Sequence, residues 1–398
     1  MADDATEQRA PTRREYVKYG GAVVGGGLFA GCADDGDSGR APTALDAESN
    51  NEETPTEQPD PYEVCMEPVG CVEFTDVPQT VAGYLPTYTD MSVALGHGDA
   101  VAGMGVKDQH PWHYYDELAA STPSQEDITE LPGELGKEIF YELSPDVLFI
   151  DPNYPVSGGF EWKPTDVQEI RDNVAPFFGN YARRPRGDDW ANWTTGGTDY
   201  AFLSLYGLFG KIAEVFQEQE RYEAFATLRS EFQSNVQSRL PSESPSVGLV
   251  NAWSKIEEGE FWGPLHPDQP GWQMQPYRDL NVDDAFAGYE SDAYEFDYET
   301  LLEYDPEVLV FVYATIKQKT PERFESEVIE PLRNHDLGSQ LQAVENDRIA
   351  MGTSAFPGPI TELFGTELLA QQIYPDASDA DEQLFDRERV ADIINGEF

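Results

Sequence analysis

Cations are scarce in this 398-residue chain. It has 25 lysines and arginines, only 8 of them lysine, against 75 aspartates and glutamates, for a formal charge of −50. Phosphate binding needs a positive footprint, so the composition excludes nucleic acid as a partner. Histidine is also sparse, with five residues, and leaves little for a metal centre. Cysteine occurs three times, at Cys32, Cys65 and Cys71. A long apolar run is missing at the N-terminus as well. Gly20–Gly31 has twelve residues, many of them glycine, short of the roughly 20 that a spanning helix needs. A surface this acidic repels itself at low salt. It points to a salt-saturated cell, that of a halophilic archaeon.

What is present begins with Thr12-Arg13-Arg14-Glu15-Tyr16-Val17-Lys18, ahead of the glycine-softened stretch and Phe29-Ala30-Gly31-Cys32. The first motif resembles a twin-arginine export signal and the last a lipobox. Their order and spacing imply a signal peptide over 1–32, export of the folded protein, and lipidation of Cys32. Two acyl chains hold stably where one holds marginally, so a diacyl-type anchor would keep the protein at the outer membrane face. Residues 33–61 are Asp, Glu, Ser, Thr and Pro with few large apolar side chains, the composition of a disordered acidic tether. Cys65 and Cys71, six apart in CMEPVGC, read as a local disulfide outside the cell, since a metal site needs more ligands than this loop offers.

The remainder reads as two halves. EIFYELSPDVLFID (138–151) and ETLLEYDPEVLVFV (299–312) align without a gap at an offset of 161 residues. Each is the end of an amphipathic helix, a proline-marked turn and a continuous apolar strand. Such strands are buried on both faces, as in parallel sheets covered by helices. Strands are expected near 80–84, 100–104, 147–152 and 175–179, and again near 247–253, 308–313 and 348–352. Helices are expected over 89–95 and from about 359 to 374. Between the halves, apolar residues recur at helical spacing from 198 to 240 with no proline, so one or two long helices join them. The expected fold is α/β: two Rossmann-like lobes, 62–197 and 241–398, joined by the helical segment 198–240, with a ligand cleft between them.

TDMSVALGHGDAVAGMG, LSPDVLFID, the joining helix, DPEVLVFV and FPGPITELFGTELLAQQIYP, in that order, resemble class III substrate-binding proteins of ABC importers. Members of that class serve ferric siderophores, cobalamin and haem. The resemblance implies a receptor that binds an iron(III) chelate, closes slightly, and docks on an ABC permease with its ATPase through exposed carboxylates. A monomer with no catalytic residues, cofactor or resident metal is expected, touching the membrane through its lipid anchor only.

Ligands of open α/β sheets bind outside the carboxyl ends of the strands, and the loops there supply the candidates. Tyr88 and Thr89 follow the first strand, with Thr89 read as a helix cap facing an anionic oxygen. His110, Trp112, His113 and Tyr114 follow the second. The two histidines lack a third ligand of matching type, and Trp112 is read as part of an aromatic cleft wall. Tyr154 follows the third strand. Arg183, Arg184 and Arg186 follow the fourth, an anomaly in a cation-poor chain and suited to an anionic chelate. In the second lobe Trp253, Trp262 and Trp272 offer flat aromatic area, and Tyr313 and Lys317 end the next strand.

Cobalamin or haem is the alternative cargo, haem placing weight on Tyr88, His110 or His113. A surface sensor with the same fold is a further alternative. A secreted hydrolase is disfavoured: the chain shows no Gly-x-Ser-x-Gly elbow, no His-Glu-x-x-His and no glycine-rich phosphate loop.

Overall fold

The computed structural model describes residues 60–157, 160–181, 202–290, 294–377 and 382–398. The export signal, Cys32, nearly all of the tether, and Arg183, Arg184 and Arg186 lie outside the described residues. No helix among the described residues is long and apolar enough to cross a membrane.

The described chain opens with an antiparallel hairpin of β1 (Tyr62–Met66) and β2 (Gly70–Phe74), in which Cys65 faces Cys71 and is bonded to it. Two parallel sheets follow. The first comprises β3 (Val81–Gly83), β4 (Val101–Gly105), β5 (Thr129–Leu131) and β6 (Val147–Phe149), in the order β5-β4-β3-β6. The strand expected near 175–179 shrinks to one bridge, Phe177 beside Leu148. Pro176 has no N–H to donate to a ladder, which confines such a segment to the sheet edge.

The second sheet contains β7 (Ser246–Asn251), β9 (Asp283–Asp284), β11 (Val308–Val312) and β12 (Ile349–Met351), in the order β12-β11-β7-β9. Two short strands, β8 (Phe261–Trp262) and β10 (Glu295–Phe296), pair antiparallel beside it. All five residues of β11 are buried, as the continuous apolar pattern requires.

The sequence echo has a topological counterpart. Helices Glu138–Leu143 and Tyr298–Tyr304 both end at a left-handed residue, Ser144 at φ 46° and Asp305 at φ 37°. Each leads through a proline into β6 or β11, and these strands hold the same place beside the first strand of their sheet. In each lobe the chain runs one way from its first strand (β3 or β7) and then switches to the other side. The switch-point crevices therefore lie between β3 and β6 and between β7 and β11.

The joining segment is two helices. Ser204 caps the first, Leu205–Phe216, by accepting from the Gly207 N–H. Gln217 breaks it at φ 58°, and Gln219–Arg239 comes next. A lone left-handed residue between helices carries no compositional mark here, so the pattern reads through it.

The lobes meet where helix Pro86–Ala94 packs against helix Pro359–Ile373. Every residue of the first helix is buried. It starts at Pro86, whose fixed φ suits the first helical position. Thr89 thus lies a turn inside the helix and is not its cap, which corrects the sequence expectation. From this helix the Asp90 carboxylate accepts the Ile360 N–H at 2.8 Å, the Thr361 N–H at 3.3 Å and the Tyr115 hydroxyl at 2.9 Å. Only glycine fits at 358, because a Cβ there would collide with the Asp90 carboxylate. Arg229 of the joining helix pairs bidentately with Glu362 at 2.9 and 2.8 Å. Arg221 donates to the Leu95 carbonyl of the first lobe.

Burial pushes the Asp90 carboxyl up to about 7, although three donors face it. A carboxyl whose folded pKa is raised binds more protons in the folded state. Its contribution is full below the unfolded value near 4 and is lost as pH rises through about 7. Chemical denaturation in multimolar salt should show stability declining from pH 5 to pH 8. In Asp90→Asn that decline should shrink by an amount on the order of a few kcal/mol. An unchanged slope would refute the assignment.

Candidate functional site

The carboxyl ends of the two sheets face a common region. The turn Lys107–Gln109 after β4 packs against the short helix Ala314–Lys317 after β11. Two non-glycine residues with left-handed φ flank this contact: Val106 at 42° and Tyr313 at 76°. For a β-branched residue this is a genuine outlier, and such strain gathers at functional sites.

In the first lobe an aromatic cluster fills the switch-point crevice. Tyr84, just past β3, meets Tyr154 at 5.1 Å and Phe160 at 4.9 Å between ring centroids. Tyr154 also contacts Phe160 at 5.4 Å and stacks on Tyr181 at 5.1 Å. The space left beneath this cluster is about 10 Å³, lined by Tyr84, Tyr88, Asp151, Tyr154, Asn180 and Tyr181. Asp151, after β6, sets the frame: one carboxylate oxygen accepts the Asn153 backbone and side-chain N–H groups at 2.9 and 3.0 Å. The other accepts the Tyr181 N–H at 2.8 Å.

In the second lobe Trp253, just past β7, meets Tyr313, just past β11, with centroids 6.2 Å apart. The Lys317 ammonium lies 5.9 Å from the centre of the Trp253 ring, within cation–π reach. Lys317 makes no ion pair among the described residues.

The other sequence candidates have more varied surroundings. Tyr88 is buried and stacks on Phe149, and its hydroxyl donates to the Asn180 carbonyl at 2.8 Å and accepts the Asn180 N–H at 2.9 Å. Thr89 is buried in its helix. Trp112 is half-buried, donates to the Lys107 carbonyl, and lies edge-on to His110 and Tyr115. Trp272 is buried and donates to the Leu203 carbonyl, fastening the start of the joining helices. Trp262 lies in β8, which packs against β7, and its backbone N–H donates to the Ser254 hydroxyl at 2.9 Å. His110 is buried, with both ring nitrogens lacking a partner among the described residues, and burial drives it down to about 3, so its ring is neutral. Among the described residues the one group of three metal-ligating side chains within reach of each other is Glu63, Cys65 and Cys71, and its two cysteines are bonded to each other.

Tyr84, Phe160, Tyr181 and Asp151 join the site without having been sequence candidates. An aromatic residue immediately after a buried strand is the signal that marks Tyr84. Nothing local marks Phe160 or Tyr181.

A larger cavity of about 470 Å³ lies elsewhere, lined by Arg239, Glu307, Arg348 and Tyr374. It sits at the amino ends of β7, β11 and β12, where two helices end. There Arg348 donates to the Ile373 carbonyl and Arg239 pairs with Glu382. Cations at helix C-termini serve the orphan carbonyls, so the carboxyl-end crevices remain the better site.

A family model described as periplasmic binding protein matches residues 81–355. The chain belongs to this family. It is therefore a binding protein of the ABC-importer type rather than an enzyme, taking a small-molecule ligand outside the cytoplasm and working with a membrane permease. Solved structures share its fold. Helicobacter pylori CeuE in its Ni–His complex superposes at TM-score 0.54 with 12% identity, over 84% of this chain and 96% of that one. The iron-uptake substrate-binding protein PiuA from Streptococcus pneumoniae gives 0.52 and 17%, over 78% and 98%. The siderophore-binding protein BauB, bound to two acinetobactin molecules and ferric iron, gives 0.51 and 16%, over 84% and 99%. At these identities the likeness is one of fold. No curated protein sequence matches.

For the binding protein, Tyr88→Phe removes two buried hydrogen bonds to the Asn180 backbone. It should destabilise the fold by about 1–3 kcal/mol in urea titration. A neutral result would mean that the Tyr88 hydroxyl does not hold Asn180.

Proposed function

We propose that this binding protein captures an anionic iron(III) chelate of the siderophore type in the inter-lobe cleft and delivers it to an ABC permease with its ATPase. The observation that carries this reading is Lys317. In a chain with 75 acidic and 25 basic residues, its ammonium is left without an ion pair among the described residues, over Trp253 and beside Tyr313 at the switch point. A cation held over an aromatic ring suits a ligand that is both anionic and aromatic. The tyrosine-rich cluster of the first lobe offers such a ligand a matching surface. Arg183, Arg184 and Arg186, three cations within four residues of a cation-poor chain, would supply guanidinium donors to such a ligand. Trp112 is proposed for the cleft wall, whereas Tyr88, Thr89, Trp262 and Trp272 are assigned to structure. The reading includes a monomer exported by the twin-arginine route, anchored through Cys32 on the outer face of a haloarchaeal membrane.

Tryptophan fluorescence in multimolar salt, with inner-filter controls and calorimetry, tests this against ferric siderophores, cobalamin and haem. One-to-one binding of a ferric siderophore is expected, weakened about tenfold or more in Lys317→Gln, consistent with a charge-assisted contact of about 1.5–3 kcal/mol. Tight binding of cobalamin or haem alone would replace the cargo. Unchanged siderophore affinity in Lys317→Gln would remove Lys317 from the site.

A further inference from the structure

The family match begins at residue 81, so the disulfide-closed hairpin of β1 and β2 precedes the family's common body. It is not a loose end. Val64, Met66 and Phe74 are buried in the lobe core. Tyr62 stacks on Phe74 at 5.4 Å, and Phe74 meets Phe178 edge-on at 6.2 Å. The Tyr62 hydroxyl donates to the Val215 carbonyl of the joining helix at 2.5 Å. At the hairpin tip, the Glu67 carbonyl accepts from the Asn180 side-chain amide at 2.8 Å.

Those contacts converge on a short segment, Phe178 to Tyr181. Its other side faces the aromatic crevice: Asn180 is gripped by the Tyr88 hydroxyl, the Tyr181 N–H is held by Asp151, and the Tyr181 ring stacks on Tyr154. Phe177, just before it, makes a single bridge to the sheet, and the Phe178 N–H donates to the Leu148 carbonyl at 2.7 Å, so the sheet pairing holds only the start of the segment. We propose that the hairpin is a positioning element for the ligand-facing wall, with the Cys65–Cys71 bond holding its tip against Asn180 and so keeping Tyr181 on Tyr154. The assignment of that wall to the ligand rests on the proposed function. The mechanical coupling does not.

Amide hydrogen exchange on the folded chain in multimolar salt separates the two. In Cys65→Ser/Cys71→Ser, peptides covering 175–181 and 150–157 should exchange about tenfold faster. Peptides of the second lobe around 247–254 should be unchanged. Acceleration confined to 62–74, or spread evenly over both lobes, would overturn the coupling. Tyr62→Phe breaks a single hairpin contact and should give the same pattern at smaller amplitude, which decides the matter if the double variant does not fold. Where iron(III) 2,3-dihydroxybenzoate binds the wild type, the double variant should bind it several-fold more weakly, and equal affinity would overturn the role at the wall. If that probe does not bind the wild type, the cargo assignment fails and the exchange pattern still decides the coupling.

Discussion

One buried carboxylate ties the two lobes together. Asp90 comes from a helix with no exposed residue and ends at the N-terminal amides of the facing lobe's helix Pro359–Ile373. Those amides lack partners within their own helix and carry the positive end of its dipole. The contact therefore answers two needs at once: a desolvated carboxylate gains donors, and a buried helix end gains an acceptor. Next along, Glu362 is held by Arg229 from the joining helix. Glu362 is buried and Arg229 partly so, and removing the arginine would leave a buried carboxylate without its partner. The same helix start is thus gripped from the first lobe and from the joining helix, and this fixes how the two carboxyl-end crevices are presented to each other. Gly358 belongs to the arrangement, since any side chain there would displace Asp90.

The crevices themselves arise from topology. Both sheets are parallel, with the chain reversing direction beside its first strand, so each lobe leaves one gap at the carboxyl edge. Side chains just past the strands fill those gaps: Tyr84 and Tyr154 in one lobe, Trp253 and Tyr313 in the other. The strained turns at Val106 and Tyr313 sit where the lobes touch at that level. In a chain of 8 lysines, most described basic groups are taken up by carboxylates or by backbone carbonyls, as at Arg278 and Lys107. Lys317, like Lys163 and Lys319, makes no such pair among the described residues, and its ammonium lies instead over the Trp253 ring.

The parallel strands are legible in the sequence because each is an unbroken apolar run, and the duplicated helix–turn–strand unit is legible because Pro145 and Pro306 punctuate it identically. Tyr154, Trp253, Tyr313 and Lys317 do lie just beyond the carboxyl ends of strands, as the sequence pattern placed them. The same positional rule mistakes Tyr88 and Thr89 for loop residues, since a helix that starts at proline and is buried all round has no amphipathic stripe to announce its first turn. Trp262 and Trp272 share their loop's composition with Trp253, and tertiary hydrogen bonding alone separates an indole that anchors a helix from one that faces a crevice. Asp90 is invisible for the opposite reason: among 75 acidic residues nothing local distinguishes the one that is buried.

The first-lobe crevice is packed shut, with about 10 Å³ free beneath its aromatic rings. That volume suits a single water at most. Under the proposed function a chelate would lie on the outer faces of these rings or move one of them. Tyr154 is the ring better placed to move, because it is half-buried whereas Tyr84 is buried; among the described residues Tyr154 contacts three other rings. Each aromatic contact is worth about 0.5–1.5 kcal/mol beyond area burial, so the three described for Tyr154 account for roughly 1.5–4.5 kcal/mol, to which the apolar area it exposes adds. A nanomolar complex has about 12 kcal/mol of binding free energy. Rearranging the wall is thus a modest fraction of what such a ligand supplies, and rings that stack on one another in the empty crevice can stack on an aromatic chelate instead. Under the proposed function the tyrosines would hold the ligand's place, with Asp151 and Asn180 as the hydrogen-bonded frame around them.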